Sequence, residues 1–423
     1  MDSFIINGGK PLNGVVKISG AKNSALKLMC ASLLTDEKLV LHNVPNLADI
    51  TSMARLLAHL GVKLGTGDDD ITGNTLTMHS DEIRELSAPY ELVRRMRASI
   101  IVLGPLLAKH GKARISLPGG CAIGARPVDM HLKALEEMGA KIEIAEGYVI
   151  AECEKLRGAD IYFEKVSVGA TENSLMAATL ADGVTTLHNA AAEPEIVDLC
   201  ECLSKMGAKI EGAGSSVLKI TGVEKLHGAE HNVVADRIEA GSFIIAAGIT
   251  GGEITLENIS AKTLGAILPK LKATGIEIEE KENSLIVKGN SIHSKDIITE
   301  PHPGFPTDMQ AQFMALMTLA DGTSTIQETI FENRFMHVPE LARMGANIKI
   351  SGNTAIVKGV TKLTGAEVMA TDLRASFSLV LAALAAHGQT KINRVYHIDR
   401  GYEKVEEKLQ KLGADIIRVA EKA

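Results

Sequence analysis

The 423 residues hold 45 basic and 52 acidic side chains, giving a net charge of −7, and 45% of them are apolar. That supplies a large core at a length suited to two or three domains, and an acidic balance without a long basic run disfavours nucleic acid and anionic membrane as partners. No apolar stretch reaches the roughly 18 residues of a membrane span, and with 3% aromatics and no tryptophan, base-stacking platforms and aromatic ligand boxes are disfavoured.

Met1 to Gly9 lacks a basic stretch followed by a long apolar core, so no signal peptide is expected. Gly20-Ala21-Lys22-Asn23-Ser24 opens a first buried helix, and from there the chain repeats itself. Helical stretches end at Leu60-Gly61-Val62, Met138-Gly139-Ala140, Met206-Gly207-Ala208, Thr274-Gly275-Ile276, Met344-Gly345-Ala346 and Leu412-Gly413-Ala414, with the glycines 68 to 78 residues apart. Each glycine suits the left-handed residue that follows a helix. After it comes an alternating strand pair, as in Lys141 to Ile144 with Tyr148 to Ile150, or Asn347 to Ile350 with Ala355 to Val357, which predicts a hairpin. A second marker recurs as Leu12-Asn13-Gly14-Val15, Leu156-Arg157-Gly158-Ala159, Leu226-His227-Gly228-Ala229 and Leu363-Thr364-Gly365-Ala366.

Each repeat also holds a helix that is apolar nearly all round, such as Ala375 to Ala386, and is therefore expected to be buried. A short strand follows (Lys38 to Leu41, Thr185 to Leu187, Glu253 to Leu256, Ser324 to Ile326), then a more amphipathic helix. The unit reads β-α-β-α-β-β, six times over. Six are too many for one core, so a split into three plus three is predicted. The stretch Thr221 to Ala235 is the expected crossing. Residues 1 to 21 have no hairpin before them and are expected to complete the second half, with a hinge near Lys22. A passive solenoid is the alternative reading of such repeats. Against it stand Lys22, Lys165, Arg237 and Arg374, which fall seven to nine residues after a marker glycine and so at equivalent strand-to-helix junctions. Four cations in register in an acidic protein point to a cleft that gathers anions, the alternative being solvated surface charges.

Five cysteines, Cys30, Cys121, Cys153, Cys200 and Cys202, are odd in number and scattered, which fits a reducing cytoplasm better than a disulfide framework. Cys121 stands in Ile115-Ser116-Leu117-Pro118-Gly119-Gly120-Cys121-Ala122-Ile123-Gly124-Ala125-Arg126-Pro127-Val128-Asp129. The proline and three glycines predict a loop, and Pro127 suits the first turn of the helix that follows. A thiol on a loop leading into a helix N-terminus with Arg126 beside it has a lowered pKa next to an anion site; an incidental surface cysteine is the alternative.

Met96-Arg97-Ala98-Ser99 and Leu373-Arg374-Ala375-Ser376 open comparable helices with an arginine. Pro303-Gly304-Phe305-Pro306-Thr307-Asp308-Met309-Gln310 opens another, where Asp308 is either a first-turn carboxylate or a base. Glu328 to Arg334 and Tyr396 to Tyr402 read as dense polar loops, with His397 a structural hydrogen-bonder. No P-loop, dinucleotide, zincin or Gly-x-Ser-x-Gly pattern occurs.

The Cys121 stretch resembles the active-site loop of the UDP-N-acetylglucosamine enolpyruvyl transferases. The resemblance runs the length of the chain, through Gly20 to Ser24, Met96 to Ser99, Lys165 to Ala170, Glu193-Pro194-Glu195, Pro301 to Gln312, Phe331 to Pro339, Asp372 to Ser376 and Tyr396 to Tyr402. It implies an α/β fold of two inside-out barrels, each of three β-α-β-α-β-β units. One would span 22–232 and the other 1–21 plus 233–423, with the active site in a cleft between them that closes for chemistry. It implies transfer of enolpyruvyl from phosphoenolpyruvate to the 3′-hydroxyl of UDP-N-acetylglucosamine, the first step of peptidoglycan synthesis. By the same resemblance Lys22, Arg126 and Arg400 hold the phosphate of phosphoenolpyruvate, Arg334 and Arg374 its carboxylate, and Asn23 also contacts it. Cys121 is the implied proton donor and site of covalent capture, and of alkylation by fosfomycin. Asp308 is the implied base. Arg97, Arg126, Pro127, Val128, Asp129, Met130, Lys165, Val166, Ser167, Val168, Asp308 and Ile330 match the sugar-nucleotide contacts. No cofactor or metal is implied, the partners are small molecules, and a cytoplasmic monomer is expected. The shikimate-pathway enolpyruvyl transferase is the rival, disfavoured by the Cys121 loop and Lys165-Val166-Ser167-Val168. A catalytically silent paralogue is disfavoured by the intact Cys121, Asp308 and arginine set.

Overall fold

The computed structural model describes residues 2–66, 74–94, 96–117 and 128–420. The expected loop with Cys121, Arg126 and Pro127 lies outside them; the helix predicted after it runs Asp129–Glu137. All six repeat glycines take left-handed φ, from 91° at Gly413 to 113° at Gly61. A residue with a Cβ is strained there, so glycine marks where each outer helix stops and its hairpin begins. The hairpins form as the alternation predicts, Lys141–Ala145 with Tyr148–Glu152 and Asn347–Ser351 with Thr354–Lys358. The second marker has a different cause. A Cβ on Gly158, Gly228 or Gly365 would lie 2.2 to 2.4 Å from a backbone carbonyl of the neighbouring strand. Only glycine lets the two backbones approach.

Among the described residues the strands make six four-stranded sheets. In each, a lead strand runs parallel to the strand after the buried helix; in five of them that strand pairs antiparallel with a hairpin, and in the sixth with the N-terminal strand Asp2–Asn7, which pairs in turn with Asp415–Ala420. The chain divides into two compact units, one of residues 2–19 with 235–420, the other of 20–117 with 128–234. The N-terminal segment belongs to the first by direct pairing: Asp2–Asn7 lies between Gln389–Asn393 and Asp415–Ala420, and Asn13–Lys17 leads the sheet of Glu253–Glu257. Conversely Ala229–Asn232 leads the sheet of Lys38–His42 in the other unit.

Each unit has its own hydrophobic core. In one, the helices Arg237–Thr250, Gln310–Met317 and Ala375–Ala385 touch one another and are buried almost throughout. In the other, Lys22–Ala31, Leu103–His110 and Val168–Ala178 take the same role. Sheets and amphipathic helices such as Ala48–Leu60, which buries Ile50, Met53, Leu57 and Leu60 at helical spacing, enclose them. Helices inside and sheets outside make each unit an inside-out α/β barrel. No helix among the described residues is long and apolar enough to cross a membrane.

The helix openings at Arg97 and Asp308 both begin as 3₁₀ segments, Arg97–Val102 and Thr307–Met309. The Met96 carbonyl accepts from both the N–H and the hydroxyl of Ser99, and the Pro306 carbonyl from the Met309 N–H, so i→i+3 bonds tighten both first turns. The polar loop predicted at Tyr396 to Tyr402 is corrected in part: Val395–Arg400 forms a 3₁₀ helix, preceded by Arg394 at φ 58°.

Candidate active site

In the unit of residues 20–117 and 128–234, Lys22 is the first residue of its helix, with only 6% of its surface exposed. A lysine so buried needs a counter-charge. Asp49, itself buried, lies 3.4 Å from its Nζ. Next to it, Asn23 gives its backbone carbonyl to Lys27 Nζ. Arg97 starts its 3₁₀ segment half-buried. Val128, Asp129 and Met130 begin the helix Asp129–Glu137, and Lys165 and Val166 precede Ser167, which caps Val168–Ala178 by accepting from Ala170 N–H. These three segments meet at His131. Its Nδ1 is 3.1 Å from Asn173 Nδ2, while Asn173 Oδ1 accepts from the Gly104 N–H at 2.7 Å. A Cβ on Gly169 would sit 3.1 Å from the imidazole ring, so the glycine admits it. Burial, then the charge of Arg97, pushes the His131 pKa down to about 4, against the pull of Asp129.

The other unit gathers Asp308, Arg334 and Arg374. Arg334 Nη2 donates to Asp308 Oδ1 at 2.7 Å, and Arg374 Nε stands 3.6 Å from Asp308 Oδ2. Each guanidinium is also tied to the interior. Arg334 Nη1 donates to Thr307 Oγ1 at 2.8 Å, and the Thr307 hydroxyl donates in turn to Glu328 Oε2 at 2.8 Å. Arg374 donates to the Gly401 carbonyl at 2.8 Å and to Asp236 at 3.2 Å. Burial disfavours both charges, but Asp308 and Asp372 at Arg334, and Asp236, Tyr402 and Asp308 at Arg374, outweigh it and raise both pKa values. Ile330 sits in a loop whose N–H groups at 330 and 331 both point to the buried Glu328 carboxylate. Arg400 ends the segment Val395–Arg400, which is anchored by the fork of Arg418 on Asp399 at 2.6 and 3.0 Å. The Nδ1 of His397 finds no hydrogen-bond partner among the described residues.

Asp49, Asp236 and His131 have no place in the expectations from sequence, and Glu328 figures there only as the start of a polar loop. A few per cent of exposure at a charged residue is the signal that a counter-ion must exist, but nothing local names it. His337 is fully buried with neither ring nitrogen bonded among the described residues, and burial pushes its pKa to about 4. It and His131 fold neutral, whereas an unfolded histidine titrates near 6.5. Their stabilisation is thus present above about pH 6.5 and lost as pH falls toward 4, on the order of 3 kcal/mol each. Urea midpoints between pH 7 and 4.5 are expected to fall less steeply for His131→Gln than for the parent; parallel curves would refute this.

The EPSP synthase (3-phosphoshikimate 1-carboxyvinyltransferase) family model matches residues 6–409. The UDP-N-acetylglucosamine 1-carboxyvinyltransferase of Granulibacter bethesdensis is 58% identical over 422 residues, covering 99% of this chain and 100% of that protein. Among solved structures, the enolpyruvyl transferase NikO of Streptomyces tendae superposes with a TM-score of 0.89 at 25% identity over 99% of both chains. The EPSP synthase of Acinetobacter baumannii gives 0.77 at 20% identity, over 99% of this chain and 100% of that one, a likeness of fold. By the family match along nearly its whole length, and by a relative identical at more than half of all positions, the chain belongs to the EPSP synthase family.

Proposed function

We propose that this chain transfers the enolpyruvyl group of phosphoenolpyruvate to the 3′-hydroxyl of UDP-N-acetylglucosamine, releasing phosphate, as the first committed step of peptidoglycan synthesis. The observation that carries the reading is the 58% identity, end to end, with a UDP-N-acetylglucosamine 1-carboxyvinyltransferase. Two buried guanidiniums converging on one carboxylate suit an anionic substrate and support it.

The roles follow the chemistry. Lys22, Arg126 and Arg400 hold the phosphate of phosphoenolpyruvate, with Asn23 beside them in sequence; Arg334 and Arg374 hold its carboxylate. Arg97, Arg126 to Met130, Lys165 to Val168 and Ile330 hold the sugar nucleotide. In the addition, Asp308 takes the 3′-hydroxyl proton, the oxygen attacks C2, and C3 takes a proton from Cys121. In the elimination, C3 gives up a proton, the double bond re-forms and the C–O bond to phosphate breaks. No electron leaves the substrates and the basic residues supply the positive charge, so this reading includes no cofactor or metal. It places the chain in the cytoplasm, as a monomer acting on small molecules.

A second reading, with shikimate 3-phosphate as acceptor, comes from the family model's own name. Phosphate release with phosphoenolpyruvate separates the two. Turnover is expected with UDP-N-acetylglucosamine and none with shikimate 3-phosphate; the reverse would overturn the proposal.

A further inference from the structure

We infer that Asp308 sits on Arg334 and Arg374 as a substrate carboxylate would, and that the carboxylate of phosphoenolpyruvate must displace it before Asp308 can serve as a base. The inference rests on the reading just given and adds an order of events to it.

The geometry is that of a carboxylate site with a protein carboxylate in it. One oxygen of Asp308 meets Arg334 Nη2 at 2.7 Å and the other faces Arg374 Nε at 3.6 Å. The two arginines cannot follow Asp308 if it moves. Arg374 is 2% exposed, stands over the Tyr402 ring at 5.2 Å, and is pinned by the Gly401 carbonyl and by Asp236, whose other oxygen accepts from Ile238 and Glu239 N–H. Arg334 is 4% exposed, lies over the Phe331 ring at 5.3 Å, and is pinned by Thr307, which Glu328 holds in turn. Asp308 is the exposed member at 26%. It stands in a three-residue 3₁₀ segment after Pro306, with a side chain short enough to swing without unwinding the buried helix that follows.

Two consequences follow from the charges. A second carboxylate arriving at the same two guanidiniums repels Asp308, so one of them must leave. A carboxylate clamped by two guanidiniums is a poor proton acceptor, and one released from them is a better one. The arrival of phosphoenolpyruvate thereby switches on the base, so the sugar hydroxyl is not activated before its reaction partner is in place.

Calorimetry on Asp308→Asn tests this, with phosphoenolpyruvate and inorganic phosphate as separate probes. Both the variant and its control carry Cys121→Ser, so covalent capture does not contribute. Without a rival carboxylate, phosphoenolpyruvate is expected to bind the Asn variant about ten-fold more tightly, the worth of one charge-assisted hydrogen bond, while phosphate changes less than about two-fold. Asp308→Ala is expected to behave alike, which covers a folding failure of either variant. Unchanged phosphoenolpyruvate affinity would overturn the inference. So would equal tightening of both probes, since that is simple charge repulsion. Turnover of the unaltered chain with UDP-N-acetylglucosamine reports on the functional reading itself: if it turns over and the Asn variant binds no tighter, displacement alone is wrong. Absence of that turnover would overturn both.

Discussion

Cys121→Ser is expected to lose nearly all turnover, by about 10³-fold, while Cys121→Asp keeps a useful rate with its pH optimum moved to the acid side. The vinyl carbon needs a donor that is protonated at neutral pH yet gives its proton up readily. A thiol, whose ordinary pKa is about 8.5, meets both needs. A serine hydroxyl is far too weak an acid. Aspartate has the shape to replace the thiol, but its ordinary pKa of about 3.9 leaves it ionised unless the site intervenes. Bound phosphoenolpyruvate intervenes, because its negative charge pushes a neighbouring carboxyl upward. The same exchange removes the soft nucleophile that an epoxide phosphonate alkylates, so the Asp variant should resist fosfomycin while still turning over. The measurement is a pH–rate profile of both variants with and without the epoxide. Equal activity of the Ser and Asp variants would show that Cys121 is not the proton donor.

The fold was legible because its punctuation is local. A glycine at each repeat boundary takes a φ near 100° that other residues avoid, and behind five of the six the alternation forms a hairpin. The buried helices were legible for the same kind of reason, since a stretch like Ala375–Ala385 has no polar face to give to water. The site was legible only in its cations. Lys22 and Arg374 read as members of a set that gathers anions, yet Lys22 lies beside Asp49, and Arg374 beside Asp236, 138 residues away in sequence. Which carboxylate neutralises which cation depends on what the sheets bring together, and no spacing rule carries that. Asp308 shows the limit best. Sequence left it either a first-turn carboxylate or a base; its contacts show a carboxylate held by the two arginines that the family resemblance gives to substrate. His131 was out of reach for a related reason, being recognisable only through Asn173, which arrives from the next repeat and also holds the Gly104 N–H.

Arg374 is where stability and activity are expected to fail together. Arg374→Met leaves the Asp236 carboxylate, 5% exposed, without the guanidinium 3.2 Å away, and takes the donor from the Gly401 carbonyl. Breaking a buried pair from one side costs about 3–5 kcal/mol, chiefly through the orphaned charge. Activity is expected to fall too, since under the proposed function Arg374 is half of the carboxylate site for phosphoenolpyruvate. Arg374→Lys keeps the charge but not the planar fork that reaches Gly401, Asp236 and Asp308 at once, so it is expected to restore most of the stability while KM for phosphoenolpyruvate stays at least about ten-fold raised and KM for the sugar nucleotide changes little. The decisive variant is Arg374→Met with Asp236→Asn. Asparagine can still accept from the Ile238 and Glu239 N–H groups, as Asp236 does at 2.8 and 3.1 Å, so the helix cap survives while the orphaned charge is removed. The double variant should therefore be more stable in urea than Arg374→Met alone, and no more active. If Asp236→Asn gives no rescue, the cost of losing Arg374 lies in packing against Tyr402 and Gly401 instead of in the unpaired carboxylate, and the electrostatic account of this site would be wrong.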